Sequence, residues 1–105
     1  MAVNFDLSKL EGFEWDRGNL DHIQKHNVNY RECEDVFFNK PLIINQDETH
    51  SQIEERFRVY GQTNRKRRIF MIFTIRHNKI RVLSSRDQNR KERTEFQKQG
   101  GEIHE

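Results

Sequence analysis

The chain has 105 residues, of which 32% are apolar and 34% are charged, so we expect a single domain, residues 1–105, with a small core. Its only cysteine, Cys33, excludes an internal disulfide framework and a cysteine-based zinc site. No apolar run approaches the roughly 20 residues that cross a bilayer, and the N-terminus lacks the basic start and apolar stretch of a secretory signal. We therefore expect a soluble, cytoplasmic protein with no membrane contact.

Charge is distributed unevenly along the chain. Residues 1–55 carry 5 Lys/Arg and 12 Asp/Glu, whereas residues 56–98 carry 14 Lys/Arg and 3 Asp/Glu. The basic segment predicts an anionic partner, such as the phosphates of RNA or DNA, because neutralising phosphates releases counterions and adds affinity. Alternatively, the acidic and basic segments pair with each other across the fold. Composition leaves both interpretations open.

Two helices are predicted in the first half of the chain. Residues 1–12 hold few apolar positions and are expected to form a loose arm. Asn19 is the expected N-cap of a short helix from Leu20 to His26. Asn29 lies three residues before Glu32, as in a capping box, and this spacing predicts the start of a second helix. Apolar residues recur in the second helix at helical spacing: Tyr30, Cys33, Val36 and Phe37.

Strands are predicted after Pro41, which ends the helical region. The exposed side of the second strand is basic and aromatic, because its residues alternate with a period of two. Phe57 and Val59 face one way, and Arg56, Arg58 and Tyr60 face the other. The four predicted strands cover residues 42–44, a stretch that begins at Arg56, residues 69–75 and residues 80–83, with a tight link at His77-Asn78.

A last helix is predicted from Gln88 to Gln99, capped by Asp87 and ending at Gly100-Gly101. Phe96 is its only clear apolar anchor, so we expect this helix to pack weakly or against a partner. The element order predicts an α+β fold with two N-terminal helices, an antiparallel sheet of about four strands and a C-terminal helix. We expect the helices to cover one face of the sheet and to leave arginines on the other.

Arginines are the most informative chemical groups in the sequence. Cleavage of RNA without a metal needs a base for the 2′-hydroxyl proton, an acid for the leaving oxygen and cations for the phosphorane charge. Arg56, Arg76 and Arg86 lie at the ends of predicted strands, from which they could converge on one shallow phosphate-binding cleft. No metal or cofactor motif is present, since the helix that carries His22 and His26 lacks the glutamate of a zinc motif. Candidate proton carriers, among which the sequence does not choose, are Lys25, His26, His50, Glu54 and Glu55.

A series of short motifs follows in order along most of the chain. They read FEWD at 13–16, HIQKHNV at 22–28, DETHS at 47–51, EERF at 54–57, YGQT at 60–63, TIR at 74–76, IRVLSSR at 80–86 and RKER at 90–93. Together these motifs resemble the BrnT family of bacterial type II toxins, over residues 13–97. Two positions depart from the family pattern, because Asn27 replaces a glycine and Ser85 replaces an alanine.

The resemblance implies a RelE-like ribonuclease fold and a toxin that cleaves mRNA and so inhibits translation. It also implies a BrnA-like antitoxin with a ribbon-helix-helix part, which forms a hetero-oligomer with the toxin and binds operator DNA. The site residues carried over from the family motifs are Lys25, His26, Arg56, Arg76, Arg86, Glu92 and Arg93. The expected RNA-binding residues are Arg58, Tyr60, Arg65, Lys66, Arg67, Arg68, Arg81, Glu92 and Arg93.

Three functions follow from these observations. The first is a metal-independent ribonuclease toxin, with Arg56, Arg76 and Arg86 on the scissile phosphate and a lysine or histidine carrying protons. The second is a non-catalytic module that holds RNA or a protein on the same arginine-rich face. The third is a basic surface that serves chiefly to bind the acidic part of an antitoxin.

Overall fold

Three helices and four strands make up the part of the chain described by the computed structural model, which covers residues 6–47 and 54–101. The helices are α1, Arg17–Gln24; α2, Tyr30–Phe38; and α3, Arg90–Phe96, which continues into a π-helical turn, Gln97–Gly101. The strands are β1, Ile43–Gln46; β2, Arg56–Gln62; β3, Arg68–Arg76; and β4, Lys79–Asp87. These elements confirm the predicted α+β class. None of the three helices is long and apolar enough to span a bilayer.

The strands form an antiparallel meander in the order β1-β2-β3-β4, as the sequence predicts. The tight link between β3 and β4 is also confirmed. His77 and Asn78 form it, and both have positive φ, 54° and 63°, as the two-residue turns that suit the twist of a hairpin require. Asparagine tolerates this left-handed conformation better than most residues do.

One face of the sheet carries the core. Helix α2 packs across it so closely that a Cβ atom added to Gly61 would lie 2.5 Å from Cγ1 of Val36. Glycine is therefore the residue that lets β2 and α2 approach each other at this point. Alternation along the strands directs a set of buried side chains into the core: Phe57, Val59, Ile69, Met71, Phe73 and Val82.

The segment before α1, together with α1 itself, covers the outer edge of β4. Phe13 forms a parallel bridge with Ile80, and the Glu14 amide donates to the Ile80 carbonyl oxygen at 2.8 Å. Further along the edge, the buried Asn19 side chain donates to the Val82 carbonyl oxygen at 3.1 Å. These hydrogen bonds satisfy backbone groups of β4 that would otherwise be open to pairing with another chain.

Residues 6–12 pack against the domain, in contrast to the expected loose arm. They include a 3-10 turn, Leu7–Lys9, and the side chains of Leu7 and Leu10 contact the core. The Glu11 amide donates to the Asn78 carbonyl oxygen at 2.8 Å. Two leucines and this bond to the β3–β4 turn hold the segment, and composition alone does not show such tertiary contacts. The rest of the predicted arm, residues 1–5, lies outside the described residues.

The predicted N-caps of α1 and α3 are wrong, whereas α2 has the predicted capping box. Helix α1 begins after Asp16, whose carboxylate accepts a hydrogen bond from the Asn19 amide. Asn19 lies inside the helix, because its side chain bonds the edge of β4. Helix α3 begins after Asn89, because the Asp87 carboxylate is bound by Arg67 instead.

Helix α3 lies on the opposite face of the sheet from α2, so the expectation that helices cover only one face is wrong. Its anchor is Phe96, which is 1% exposed and lines a cleft together with Ile43 and Tyr60. The Arg68 guanidinium lies 5.8 Å from the centroid of the Phe96 ring. Apolar and aromatic side chains on this second face of the sheet therefore give α3 a surface to pack against. Phe96 alone is enough to anchor the helix there.

Candidate nucleic-acid interface

Six arginines lie on the face of the sheet opposite the core. Cross-strand pairing arranges this face in rows. One row contains Arg56, Thr74 and Arg81, and another, four residues away along β3, contains Tyr60, Phe70 and Arg86. We call this surface the arginine face, and its members are Arg56, Arg58, Tyr60, Arg68, Phe70, Thr74, Arg76, Arg81 and Arg86. The predicted placement of Arg56, Arg58 and Tyr60 on the side away from the core is confirmed.

Glu54 holds two of these arginines together at one end of the face. Its carboxylate lies 3.3 Å from Nη2 of Arg76 and 3.8 Å from Nη2 of Arg56. The three side chains are between 32% and 43% exposed, so an anion that arrives from solvent can reach both guanidinium groups. Arg56 begins β2 and Arg76 ends β3, and antiparallel pairing brings these two positions together. We call Glu54, Arg56 and Arg76 the Glu54 cluster.

Arg86 is held in one orientation towards the other end of the face. It makes a bidentate pair with Glu92, with Nη1–Oε1 at 2.8 Å and Nη2–Oε2 at 3.0 Å. Its guanidinium also lies 4.5 Å from the centroid of the Phe70 ring. The hydrogen bonds to Glu92 raise the pKa of Arg86. Burial acts to raise the pKa of Glu92, but hydrogen bonds from Arg86 and the Asn89 backbone outweigh it and lower that pKa overall.

The Glu54 cluster and Arg86 are separate sites on one face. Phe70, in the Arg86 row, and Thr74, in the Arg56 row, are four residues apart along β3. At about 3.3 Å per residue, the two rows are about 13 Å apart along the strands. Arg56 and Arg76 converge, as expected, but Arg86 does not join them in a single cleft. Such a separation suits two different phosphates of one strand better than one phosphate.

Several basic residues of the face and its neighbouring loop are open to solvent. Arg58 is exposed on β2, and within residues 6–47 and 54–101 no carboxylate lies within 4.0 Å of its guanidinium. Arg65 and Lys66 are exposed in the loop between β2 and β3, where Lys66 has a positive φ of 71°. Among the described residues, none of these side chains forms an ion pair that a phosphate would first have to break.

Arg67, Arg81 and Arg93 are instead used inside the fold. The Arg67 guanidinium bonds the carboxylates of Asp87 and Glu32, at 2.7 and 3.0 Å. Arg81 is 12% exposed and bonds Asp16 at 2.8 Å. Nη1 of Arg93 donates to the Gln88 carbonyl oxygen at 2.8 Å. Their expected role in RNA binding stays a prediction, since these contacts first serve to join elements of the protein.

The predicted proton carriers do not gather at the arginines. Lys25 and His26 are exposed at the C-terminal end of α1. In the described part of the chain, no hydrogen bond or ion pair joins either side chain to the arginine face. His50 lies in residues 48–53, outside the described residues. The assignment of these three residues to proton transfer stays a prediction.

Cys33 is fully buried in α2, and burial raises the pKa of its thiol to about 11. This confirms that Cys33 is a core residue and not an activated nucleophile. Across the two described ranges, no three His, Cys, Asp or Glu side chains are grouped so that they could hold a metal ion.

A comparison with protein families identifies the chain's relatives. The model of a family described as the ribonuclease toxin, BrnT, of type II toxin–antitoxin systems matches residues 15–92. The chain belongs to the BrnT family. The match confirms the resemblance read from the sequence motifs, and it spans the arginine face from Arg56 to Arg86. A search of curated proteins finds no match.

Two residues of the candidate site become recognisable only in the structure. Glu54 is one of five candidate proton carriers in the sequence, and its contacts with Arg56 and Arg76 single it out. Phe70 is hidden in a strand that is apolar on both faces, yet it lies between Tyr60 and Arg86, with ring centroids of Phe70 and Tyr60 5.2 Å apart. The sequence could have indicated Phe70 through the alternation of side chains along β3. Phe70 lies an even number of residues from Thr74 and Arg76, and therefore on the same face of the strand.

Proposed function

We propose that the arginine face binds single-stranded mRNA in the cytoplasm and that the Glu54 cluster cleaves it without a metal ion, so that translation stops. The observation that supports this most directly is the Glu54 carboxylate held between two partly exposed guanidinium groups, Arg56 and Arg76. A base and two cations are thereby within reach of one phosphodiester. These are two of the three components that metal-free RNA cleavage requires.

The reaction follows from the chemistry of these groups. The scissile phosphate binds Arg56 and Arg76 and displaces Glu54 from them. The released carboxylate accepts the proton of the 2′-hydroxyl, and the 2′-oxygen attacks phosphorus. The two guanidinium groups offset the negative charge that develops on the phosphorane oxygens. The bond to the 5′-oxygen breaks, this oxygen takes a proton from the medium, and a 2′,3′-cyclic phosphate and a 5′-hydroxyl remain.

Arg86 has a binding role in this scheme. Glu92 and Phe70 hold its guanidinium in place, so it can contact a neighbouring phosphate with little loss of side-chain entropy. Arg58, which is exposed two residues from Arg56 along β2, contacts the backbone between these two points. The substrate therefore crosses the sheet diagonally from β2 to β4.

We further propose that the antitoxin is a BrnA-like ribbon-helix-helix protein that binds operator DNA and forms a hetero-oligomer with the toxin. Membership of a type II toxin–antitoxin family supports an antitoxin partner and an RNA substrate. The 14 Lys/Arg against 3 Asp/Glu of residues 56–98 favour an acidic antitoxin segment that competes with RNA for the arginine face.

The test compares RNA cleavage by the purified protein in EDTA with cleavage by Glu54→Gln and Arg76→Ala. Each substitution should slow cleavage about 100-fold or more, since removing a general base or a charge-stabilising donor typically has this effect. Arg17→Ala is the matched control, because Arg17 is 93% exposed on α1, and it should cleave at the normal rate.

Wild-type products should carry 2′,3′-cyclic phosphates, and expression of the wild type alone should stop bacterial growth. Intact RNA in the presence of saturating wild-type protein would contradict the proposal and favour the non-catalytic module. Full activity of Glu54→Gln would contradict the role of Glu54 while leaving the ribonuclease in place.

A further inference from the structure

A cleft lies between α3 and the β1–β2 side of the arginine face. Its volume is about 200 Å³, which is enough for one planar base and too little for a folded peptide element. The cleft borders Arg58, whose guanidinium has no carboxylate partner in the described part of the chain. A base that enters the cleft would therefore place its own phosphate beside an available cation.

The apolar lining of the cleft consists of Ile43 and two aromatic residues. Both Phe96 and Tyr60 line the cleft. Phe96 is 1% exposed, whereas Tyr60 is only half-buried and offers the more accessible ring. Contact with Phe70, at a centroid distance of 5.2 Å, restrains the Tyr60 ring. Proteins that bind single-stranded RNA commonly stack unpaired bases on aromatic side chains of this kind.

The polar rim of the cleft is rich in hydrogen-bond acceptors. Glu95 contributes a carboxylate, which can only accept hydrogen bonds when it is ionised. Gln99 donates to Oε2 of Glu95 at 3.2 Å, so its carbonyl oxygen is also left as an acceptor. The Asn45 amide, which makes no side-chain hydrogen bond with the described residues, offers one donor group and one acceptor.

We propose that this cleft is a base-binding subsite that accepts adenine, cytosine or guanine and disfavours uracil. The exocyclic amino groups of the first three bases can donate to Glu95 and Gln99, as glutamate accepts from the cytosine amino group in other complexes. Uracil carries the carbonyl oxygen O4 where cytosine carries its amino group, so at this position it presents an acceptor to the Glu95 carboxylate, and N3–H is its only Watson–Crick donor. The subsite rests on the proposed function, because it reads a base of the RNA whose phosphates cross the arginine face.

The test measures binding of two uncleavable probes, the 2′-O-methyl tetranucleotides of cytidine and of uridine. Both bases are pyrimidines of the same size, so stacking on Tyr60 contributes almost equally to the two affinities. Any difference between the affinities therefore comes from the exocyclic group at ring position 4. The wild type should bind the cytidine probe about tenfold more tightly, the low end of discrimination by a specific base contact. Glu95→Gln should bring the two affinities within about twofold of each other, since its amide can also donate to uracil.

The matched control is Asp21→Asn, which removes the same charge from an exposed residue of α1 and should keep the tenfold preference. Equal affinity of the wild type for both probes would overturn the subsite, as would an unchanged preference in Glu95→Gln. Because the probes cannot be cleaved, an inactive protein can still show the preference. An active ribonuclease without the preference would disprove the subsite alone.

Discussion

At the scale of single residues, the arginines divide into two kinds that look alike in the sequence. The run from Arg65 to Arg68 contains both. Arg65 and Lys66 are exposed, whereas Arg67 bonds Asp87, Glu32 and the Asn27 carbonyl oxygen. Sequence pattern cannot separate them, because the partners of Arg67 come from 20 to 40 residues away along the chain.

Arg67→Ala should therefore destabilise the fold. The side chain is 26% exposed and joins the start of α2 to the end of β4. Its loss leaves carboxylates without their charged donor, and we expect the free energy of unfolding to fall by about 2 kcal/mol. Urea denaturation at pH 7 measures this change.

Arg65→Ala is the control for Arg67→Ala, because it removes the same group from an exposed position in the same loop. Its free energy of unfolding should stay within about 0.5 kcal/mol of the wild type. Similar losses in both variants would show that Arg67 contributes no more to stability than a solvated arginine.

At the scale of elements, the sequence predicts the order of helices and strands well. It predicts less well which surface each helix packs against and at which residue it begins. The meander follows from alternation and from the turn at Asn78, which are local signals. The face occupied by α3 depends on where Phe96 finds apolar surface, and that surface is created by Ile43 and Tyr60 from other elements. The start of α3 also depends on a distant group, because Arg67 takes the Asp87 carboxylate away from capping.

Phe96→Ala should detach α3 while the sheet stays folded. Phe96 is the one buried residue of this helix, and seven residues are too few to be helical without tertiary packing. Amide hydrogen exchange in residues 90–97 should therefore accelerate at least tenfold, whereas β3 should keep its protection.

Lys91→Ala is the control for α3, since Lys91 is exposed on the same helix. It should leave exchange in residues 90–97 unchanged. An unchanged rate in Phe96→Ala would show that the pair between Arg86 and Glu92 holds α3 without the aromatic anchor. Faster exchange in β3 as well would show that α3 and the sheet unfold as one unit.

At the scale of the whole molecule, the acidic and basic segments of the sequence neutralise each other only in part. Acidic residues from the first half bind arginines from the second, as Asp16 does with Arg81 and Glu54 with Arg76. Arg58 and the exposed loop residues have no such partners within the described ranges and leave a net basic face. Counting charges in the sequence cannot tell how many are neutralised internally, because this depends on the register of β3 and β4.

The internal ion pairs predict how stability depends on pH. Arg81 lowers the pKa of Asp16 and Arg67 lowers the pKa of Asp87, in each case chiefly through a hydrogen bond, and the pKa of Glu92 is lowered overall as well. A carboxylate whose pKa is lower in the folded state stabilises the fold at pH values above its unfolded pKa. This contribution is lost as the pH falls through the folded pKa.

As far as these carboxylates are concerned, the urea concentration at the midpoint of denaturation should therefore stay constant between pH 7 and pH 5. At pH values below about 4.5 it should decrease. Asp16→Asn should be less stable than the wild type at pH 7 and should lose less on acidification, so that the two curves converge near pH 2. Asp21→Asn is the control, because Asp21 pairs with Arg17 at an exposed position, and its curve should run parallel to that of the wild type. Parallel curves for Asp16→Asn and the wild type would mean that the pair between Asp16 and Arg81 gives the folded state no net advantage over the unfolded chain.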